Sequence, residues 1–256
     1  MLSSDGIGSY VLNMDKLDSH RPLAFFERVR VINLAKRGDR RRAVTRELAK
    51  LSERVDGERV AFHAATRPQA LSGFDTIGTR GCFLSHLSVL QEAKRDGVSS
   101  LLILEDDVAF SASETCAITP AMNALEKTSW SIFYGGSPVA QKLSPLTKLP
   151  IDEHVMLAHF IAFTRPAIGR LVPYLEAMLE RPKGSPDGGP MHVDGAYSWF
   201  RQSAPDIMAF AATPNVAHQR ASATDIHGRR GLDRIPVLRG LLVPARGIKN
   251  ILRAKD

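Results

Sequence analysis

The sequence predicts an α/β fold, a single domain with a mixed, mainly parallel sheet, and three observations carry that reading. A strand, helix, strand order runs from Val29 to His63. The near-continuous apolar run Ser99-Ser-Leu-Leu-Ile-Leu104 suits a central parallel strand covered on both faces. The chain has 256 residues, 44% hydrophobic and 24% charged, enough for one large domain with a substantial core. Those proportions also exclude the disordered and collagen-like classes.

The elements follow in order. Residues 1–28 show no sustained period and read as an extension packing on the body. Val29-Arg-Val-Ile-Asn-Leu34 is the first strand, and after the polar turn Ala35–Gly38 a helix opens at Asp39 as N-cap. Val44, Leu48, Leu51 and Val55 would form its buried face. Arg59–His63 is a second strand. Thr79–Asp96 reads as a helix closed by Gly97 in a left-handed cap. The apolar run at 99–104 is followed directly by Glu105-Asp106-Asp107, and a strand at Trp130–Tyr134 stops at Gly135-Gly136. Further on come a strand near Met156–Phe163, a helix at Pro166–Leu179, a Gly/Pro-rich loop at Arg181–Pro190, a helix near Asp194 and a strand near Ile207–Ala212.

Charge is unevenly placed. The chain carries +7, of which residues 226–256 hold +6 from eight basic and two acidic residues. The expected organisation is therefore an extension (1–28), a nearly neutral globular body (29–225) and a basic tail (226–256). In the tail, Leu238, Leu241, Leu242, Ala245, Ile248, Ile251 and Leu252 follow a helical period beside Arg239, Arg246 and Arg253. Residues 235–256 thus suit an anionic membrane surface, or else pack on the body. No aromatic residue follows Ile226, which argues against single-stranded nucleic acid as partner. No apolar stretch approaches the roughly 20 residues that span a bilayer. Met1–Leu12 lack a secretory pattern, so the expected location is cytoplasmic, peripheral at the inner membrane face if the tail binds there. Cys82 and Cys116 have neither disulfide-scaffold numbers nor CxxC spacing, and Cys82 reads as a small core residue.

The acidic cluster is the informative feature. Three adjacent carboxylates at the end of a buried strand repel one another and lose hydration unless something positive offsets them. Ligands of open α/β sheets bind beyond the carboxyl ends of strands. Alternation would send Glu105 and Asp107 one way and Asp106 the other. Oxygen donors of this kind suit Mg²⁺ or Mn²⁺; alternatively the acids pair with arginine or cap the next helix. Asn33, Arg37 and Arg40 stand where a nucleotide would lie, with Arg41 and Arg42 as a solvated basic face.

The sequence resembles glycosyltransferase family 25, the lipopolysaccharide-type enzymes related to collagen galactosyltransferases. Val31-Ile-Asn-Leu34 with Arg37 and Asp39-Arg40 is similar to its opening strand and turn. Gly78-Thr-Arg-Gly-Cys-Phe-Leu-Ser-His86 resembles its Gly-Cys and Ser-His block, and Leu102-Ile-Leu-Glu-Asp-Asp-Val108 its acidic block. Val193-Asp194 and Pro214–Gln219 with Ser222 and Asp225 fit its later pattern, whereas Ala158–Thr164 lacks the usual glycine and tyrosine.

The resemblance implies a GT-A type, Rossmann-like fold binding a UDP-sugar (galactose or glucose) and an inverting, metal-dependent transfer to a saccharide acceptor, lipid-linked or not. It implies Glu105 and Asp107 as Mn²⁺ or Mg²⁺ ligands, and His218 as a further ligand or a surface histidine. Arg80, Ser85 and His86 would contact donor or acceptor, and Asp106 would act on the ribose or from behind the metal ligands. Asp194 would be the base, or only a helix cap. Two other classes remain beside this one: a non-catalytic sugar-nucleotide-binding protein, and a metal-dependent nucleotidyltransferase or phosphohydrolase.

Overall fold

The computed structural model describes residues 21–137 and 144–220. The basic tail, its segment 235–256, Ser222 and Asp225 lie outside the described residues. A 3₁₀ turn at Pro22–Phe25 precedes β1 (Arg28–Asn33), α1 (Gly38–Ala49), β2 (Val60–Ala64), α2 (Ile77–Arg95) and β3 (Ser100–Glu105). There follow β4 (Val108–Ala109), α3 (Ala112–Glu126), β5 (Ile132–Tyr134), β6 (Leu146–Lys148), β7 (Phe160–Thr164), α4 (Arg165–Glu180), α5 (Val193–Ser203), β8 (Ala209–Ala212) and β9 (His218–Gln219).

Seven strands form one sheet in the order β2-β1-β3-β7-β5-β8-β6, while β4 and β9 pair separately. β1 lies parallel to both β2 and β3, and β5 parallel to β8. β7 runs against β3 and β5, and β6 against β8. Five of the seven strands therefore point one way, which is the mixed, mainly parallel α/β sheet expected. The environment of β3 differs from expectation: it is central and fully covered, but only its β1 neighbour is parallel.

Alternation along β3 divides the core. Leu101 and Ile103 pack with Phe83, Leu87 and Leu90 of α2 and with Leu171 and Leu175 of α4. Leu102 and Leu104 pack on the other face with Val44 and Leu48 of α1 and Ile118 and Met122 of α3. Three layers result, helices on both faces of the sheet. Full burial of each such side chain contributes about 1.5–3 kcal/mol. Leu23 and Phe26, read from sequence as part of the extension, are fully buried in the α1–α3 layer.

Local differences have local causes. α1 opens at Gly38 with Arg37 at the cap position, and Asp39 lies in the first turn paired with Arg37 at 2.9 Å rather than capping. Thr76, whose hydroxyl accepts the Thr79 N–H at 2.9 Å, starts α2 earlier than expected, and Gly97 closes it at φ 66°. α3 has no counterpart in the sequence reading; it opens on a reciprocal capping box between Ser111 and Glu114. The strand expected from Met156 begins only at Phe160, because Leu157 is left-handed at φ 77° and Met156 is 64% exposed. Among the described residues no helix is long and apolar enough to cross a membrane.

Gly135, directly after β5, lies against the Phe160 ring of β7, where an added Cβ would overlap ring carbons. Gly135→Ala is therefore expected to lose about 1–3 kcal/mol through overpacking. A urea melt should show a lower midpoint at unchanged slope, and an unshifted midpoint would contradict this packing.

Candidate active site

The parallel strands β1, β2 and β3 end together at Asn33, Ala64 and Glu105, and a cleft of about 330 Å³ opens beyond them. One face of α2 forms a wall through Gly78, Gly81, Cys82, Ser85 and His86, residues that helical spacing brings to the same side. Gly81 is required there, since a Cβ would stand 2.7 Å from the Thr66 carbonyl oxygen. Ser85 Oγ accepts the Thr66 N–H at 2.8 Å and donates to the Gly81 carbonyl at 2.6 Å, tying α2 to the chain after β2.

The three acids all line the cleft, each with a different partner. Glu105 keeps the β3 alternation and faces α2, where His86 Nε2 lies 3.3 Å and Cys82 Sγ 3.7 Å from its Oε1. Asp106 faces α1 and accepts from Asn33 Nδ2 at 2.7 Å and Arg40 at 2.8 Å. Asp107 sits in the turn after β3, accepts from Gln219 Nε2 at 3.0 Å, and has a buried Oδ1 with no hydrogen-bond partner. Arg220 donates to the Asp106 carbonyl at 2.6 Å and, through its own N–H, to the Asp107 carbonyl at 2.8 Å.

These surroundings decide the charges. Burial, then the Glu105 and Asp106 charges, push the Asp107 carboxyl up to about 7, with Arg40 and Gln219 offsetting only part. Burial also acts to raise Glu105, yet the His86 hydrogen bond and charge, followed by His159, hold it below its ordinary value. Burial, then Glu105 and Asp194, push the Cys82 thiol well up, so it is no activated nucleophile. Lys36, Arg40 and Arg67 face the same cleft, so cations rim a floor of carboxylates.

Of the residues selected from sequence, the cleft gathers Arg40, Ser85, His86, Glu105, Asp106 and Asp107. Asn33 is buried and fully used beneath it, bonded to Asp106, to the Arg37 carbonyl and to Arg41. Arg37 pairs with Asp39, and Arg80 donates to the Ala70 carbonyl at 2.6 Å; neither lines the cleft. His218 departs from its expected place among the metal ligands. β9 alternation turns Gln219 to Asp107 and sends His218 to Glu114 at 2.7 Å, half exposed. Arg41 is not merely a solvated cation, since it bonds Asn33 and stacks 4.5 Å over Phe62. Asp194, in the first turn of α5, accepts from the N–H groups of Leu157 at 3.2 Å and Gly195 at 2.8 Å. It does not line the cleft, but its charge acts on Cys82 and on Tyr197 behind it.

Lys36, Arg67 and Gln219 were not selected from sequence. Lys36 lay inside the turn already read, and Gln219 ends the Pro214–Gln219 block, one position beyond the histidine that was chosen.

Fold and site together define an α/β protein with a ligand cleft at the carboxyl edge of its parallel strands, floored by acids and rimmed by cations. The family model described as Glycosyltransferase family 25 (LPS biosynthesis protein) matches residues 26–136, the stretch that holds the opening strand, the Gly-Cys and Ser-His block and the acidic block. The human protein named "Inactive glycosyltransferase 25 family member 3" is 32% identical over 43% of this chain and 22% of its own length. The mouse protein "Procollagen galactosyltransferase 2" is 30% identical over 54% of this chain and 25% of its own. The chain thus spans about a quarter of the length of these relatives. The crystal structure of a glycosyltransferase involved in glycosylation of the PBCV-1 major capsid aligns over 73% of this chain and 81% of that one, at 11% identity and a TM-score of 0.44.

The raised Asp107 gives a pH signature. Its folded carboxyl titrates near about 7 against an ordinary 3.8, so between those values the folded state holds a proton the unfolded chain has released. Unfolding free energy therefore falls as pH rises across that window. In metal-free buffer, Asp107→Asn should be more stable than the parent at pH 8 by about 1–4 kcal/mol, with the gap shrinking toward pH 4. Chemical melts at both pH values check this, and a gap of equal size at both would refute it.

Proposed function

We propose that the chain is a glycosyltransferase that takes a sugar nucleotide into the cleft and passes the sugar to a saccharide hydroxyl. The observation that supports it most is the joint rim of Lys36, Arg40 and Arg67 over Glu105 and Asp107, with the unpartnered buried oxygen of Asp107 among them. Cations at that height suit a diphosphate, and an orphaned carboxylate oxygen suits a hard divalent ion. The residues present fit Mn²⁺ or Mg²⁺ held by Asp107 and Glu105; such an ion supplies Lewis-acid neutralisation of the departing diphosphate. His218 has no part in that set.

On this reading Arg40, anchored by Asp106, brings positive charge to the phosphate side of the cleft, and Lys36 and Arg67 add charge that need not be rebuilt as the leaving group separates. Asn33 and Arg41 hold Asp106 in place rather than touching the nucleotide. Asp194 takes the proton of the acceptor hydroxyl as that oxygen attacks, giving inversion at the anomeric carbon. UDP as the nucleotide, galactose or glucose as the sugar and a surface glycan such as lipopolysaccharide as product extend the family likeness. The basic segment 235–256 would bring the enzyme to an anionic membrane surface where lipid-linked acceptors lie.

One observation favours a second reading, binding without transfer. Both Asp194 oxygens already accept backbone N–H groups, from Leu157 and Gly195, as a structural carboxylate tying the loop to the helix would, and several relatives are named inactive or probable inactive. A panel of sugar nucleotides with and without Mn²⁺ separates the two. Transfer or slow donor hydrolysis is expected, and Asp194→Asn should cut turnover about 10²–10⁴-fold while leaving donor affinity within a few-fold. Donor binding with no turnover in the parent would establish the binding protein instead.

A further inference from the structure

A second donor set lies on the cleft wall, distinct in chemistry from the carboxylate oxygens. Cys82 and His86 stand four residues apart on α2 and so share one face of the helix. Glu105, at the end of β3, meets them. One ligand atom from each, thiol, imidazole and carboxylate, lies within 4.8 Å of the other two. Three unlike donors converging in this way differ from a patch of surface acids, and all three border the cleft.

Two of the three spacings, those to Glu105, have the dimensions of a metal coordination shell, and the third lies within 4.8 Å. Bonds of about 2.0 Å to nitrogen or oxygen and about 2.3 Å to sulfur put tetrahedral ligands about 3.3 Å apart for N–O and about 3.5 Å apart for S–O. The observed edges are 3.3 Å from His86 Nε2 to Glu105 Oε1 and 3.7 Å from Cys82 Sγ to the same oxygen. The far side of the imidazole is braced as metal-binding histidines are: Nδ1 lies 3.0 Å from the Tyr197 hydroxyl, and both rings are fully buried. The roles of the two ring nitrogens follow the tautomer. With the hydrogen on Nε2 it donates to Glu105; with the hydrogen on Nδ1 donated to the Tyr197 hydroxyl, Nε2 turns its lone pair toward the Glu105 oxygen, which is the arrangement a bound cation uses.

We propose that Cys82, His86 and Glu105 form a zinc site with its fourth position open to the cleft. The mixed sulfur, nitrogen and oxygen set matches Zn²⁺ and discriminates against Mg²⁺ and Mn²⁺, which prefer oxygen throughout. Binding replaces the Cys82 thiol proton, which passes to the solvent buffer, and involves no redox change. Because Glu105 belongs both to this set and to the oxygen set with Asp107, zinc withdraws it from the latter. The inference does not rest on sugar transfer, and its test does not read activity.

The test titrates Co²⁺, then Zn²⁺, into the full chain freed of metal by chelation. Expected is one equivalent of Co²⁺ with four-coordinate visible bands and a thiolate-to-cobalt charge-transfer band, both bleached by Zn²⁺. Cys116→Ser should keep the sulfur band and Cys82→Ser should lose it. His86→Gln should weaken Zn²⁺ more than 10-fold, and Tyr197→Phe, which removes only the brace, about 10–100-fold with the sulfur band retained. Melting curves in chelator establish that each variant is folded; should Cys82→Ser or His86→Gln not fold, Tyr197→Phe and the parent spectrum decide. A parent without a sulfur band, or a band that survives Cys82→Ser, overturns the site and leaves a hydrogen-bonded His86–Glu105 pair in its place.

Discussion

The constraint on which the site depends is that three consecutive carboxylates leave a fully buried strand at one point. Close placement of three negative charges in low dielectric is unstable without compensation, and the protein compensates each differently. Asp106 receives Arg40 and Asn33 from the α1 side, Glu105 receives His86 from the α2 side, and Asp107 receives only the amide of Gln219. The strand's alternation imposes this division: the pleat that sends Leu101 and Leu102 to opposite layers also sends Glu105 and Asp106 to opposite helices. Charge is thus balanced for two acids and left unbalanced at the third, where burial drives the carboxyl up to about 7. The least compensated acid is the one that borders the open cleft with an unpartnered oxygen.

That division in turn fixes the neighbouring backbone. α2 must come close enough for His86 and Cys82 to reach Glu105, which Gly81 permits by leaving room for the Thr66 carbonyl and which Ser85 secures by bridging Thr66 to Gly81. On the other face, Asn33 links the end of β1 to Asp106 and to Arg41, whose guanidinium rests on Phe62 of β2. Behind β3 the chain returns through β9, whose Gln219 and the following Arg220 clamp the turn that carries Asp106 and Asp107. The rigidity of the cleft floor is therefore a property of four separate segments meeting at one strand end, not of the acidic turn alone.

Much of this was legible in the sequence, for identifiable reasons. The run Leu101–Leu104 and the acids after it announce a buried strand ending at a site, because few other arrangements tolerate such a boundary. Local periodicity found α1, α2, α4 and α5. It passed over α3, whose apolar residues are interrupted by Thr119 and Pro120, although the Ser111 and Glu114 cap was readable. Direction of pairing is not local information, so the reversal of β7 beside β3 had no signal. His218, expected either as a metal ligand or as a surface histidine, faces Glu114 while Gln219 faces Asp107, since neighbours on a strand face opposite ways. Asn33 and Arg37 lie at the end of β1 and just after it, yet what each side chain meets was not readable there: Asn33 is taken up by Asp106, 73 residues on, and Arg37 by its near neighbour Asp39.

The two halves of the site also differ in how they are held. Every cleft-lining residue except Gln219 falls within residues 26–136, the stretch that matches the family model. Asp194 and the loop it holds fall outside that stretch. There Leu157 sits at φ 77°, a backbone conformation that costs a non-glycine residue on the order of 1–3 kcal/mol, and its N–H is bonded to the Asp194 carboxylate. Beside it Met156 is 64% exposed and Leu157 38% exposed, an apolar step next to the proposed base. On the proposed reading, the donor side is a packed unit whose charges are fixed by neighbours, while the acceptor side is a strained loop latched by the residue that must accept the proton. An acceptor hydroxyl approaching Asp194 competes with the Leu157 N–H for the same oxygen, so seating the acceptor and releasing the loop become one event. On that same reading the acceptor is selected by the loop at 150–158 that meets Asp194, next to the stretch Ala158–Thr164 where this sequence departs from the family pattern, rather than by the acidic cleft, where it keeps to it.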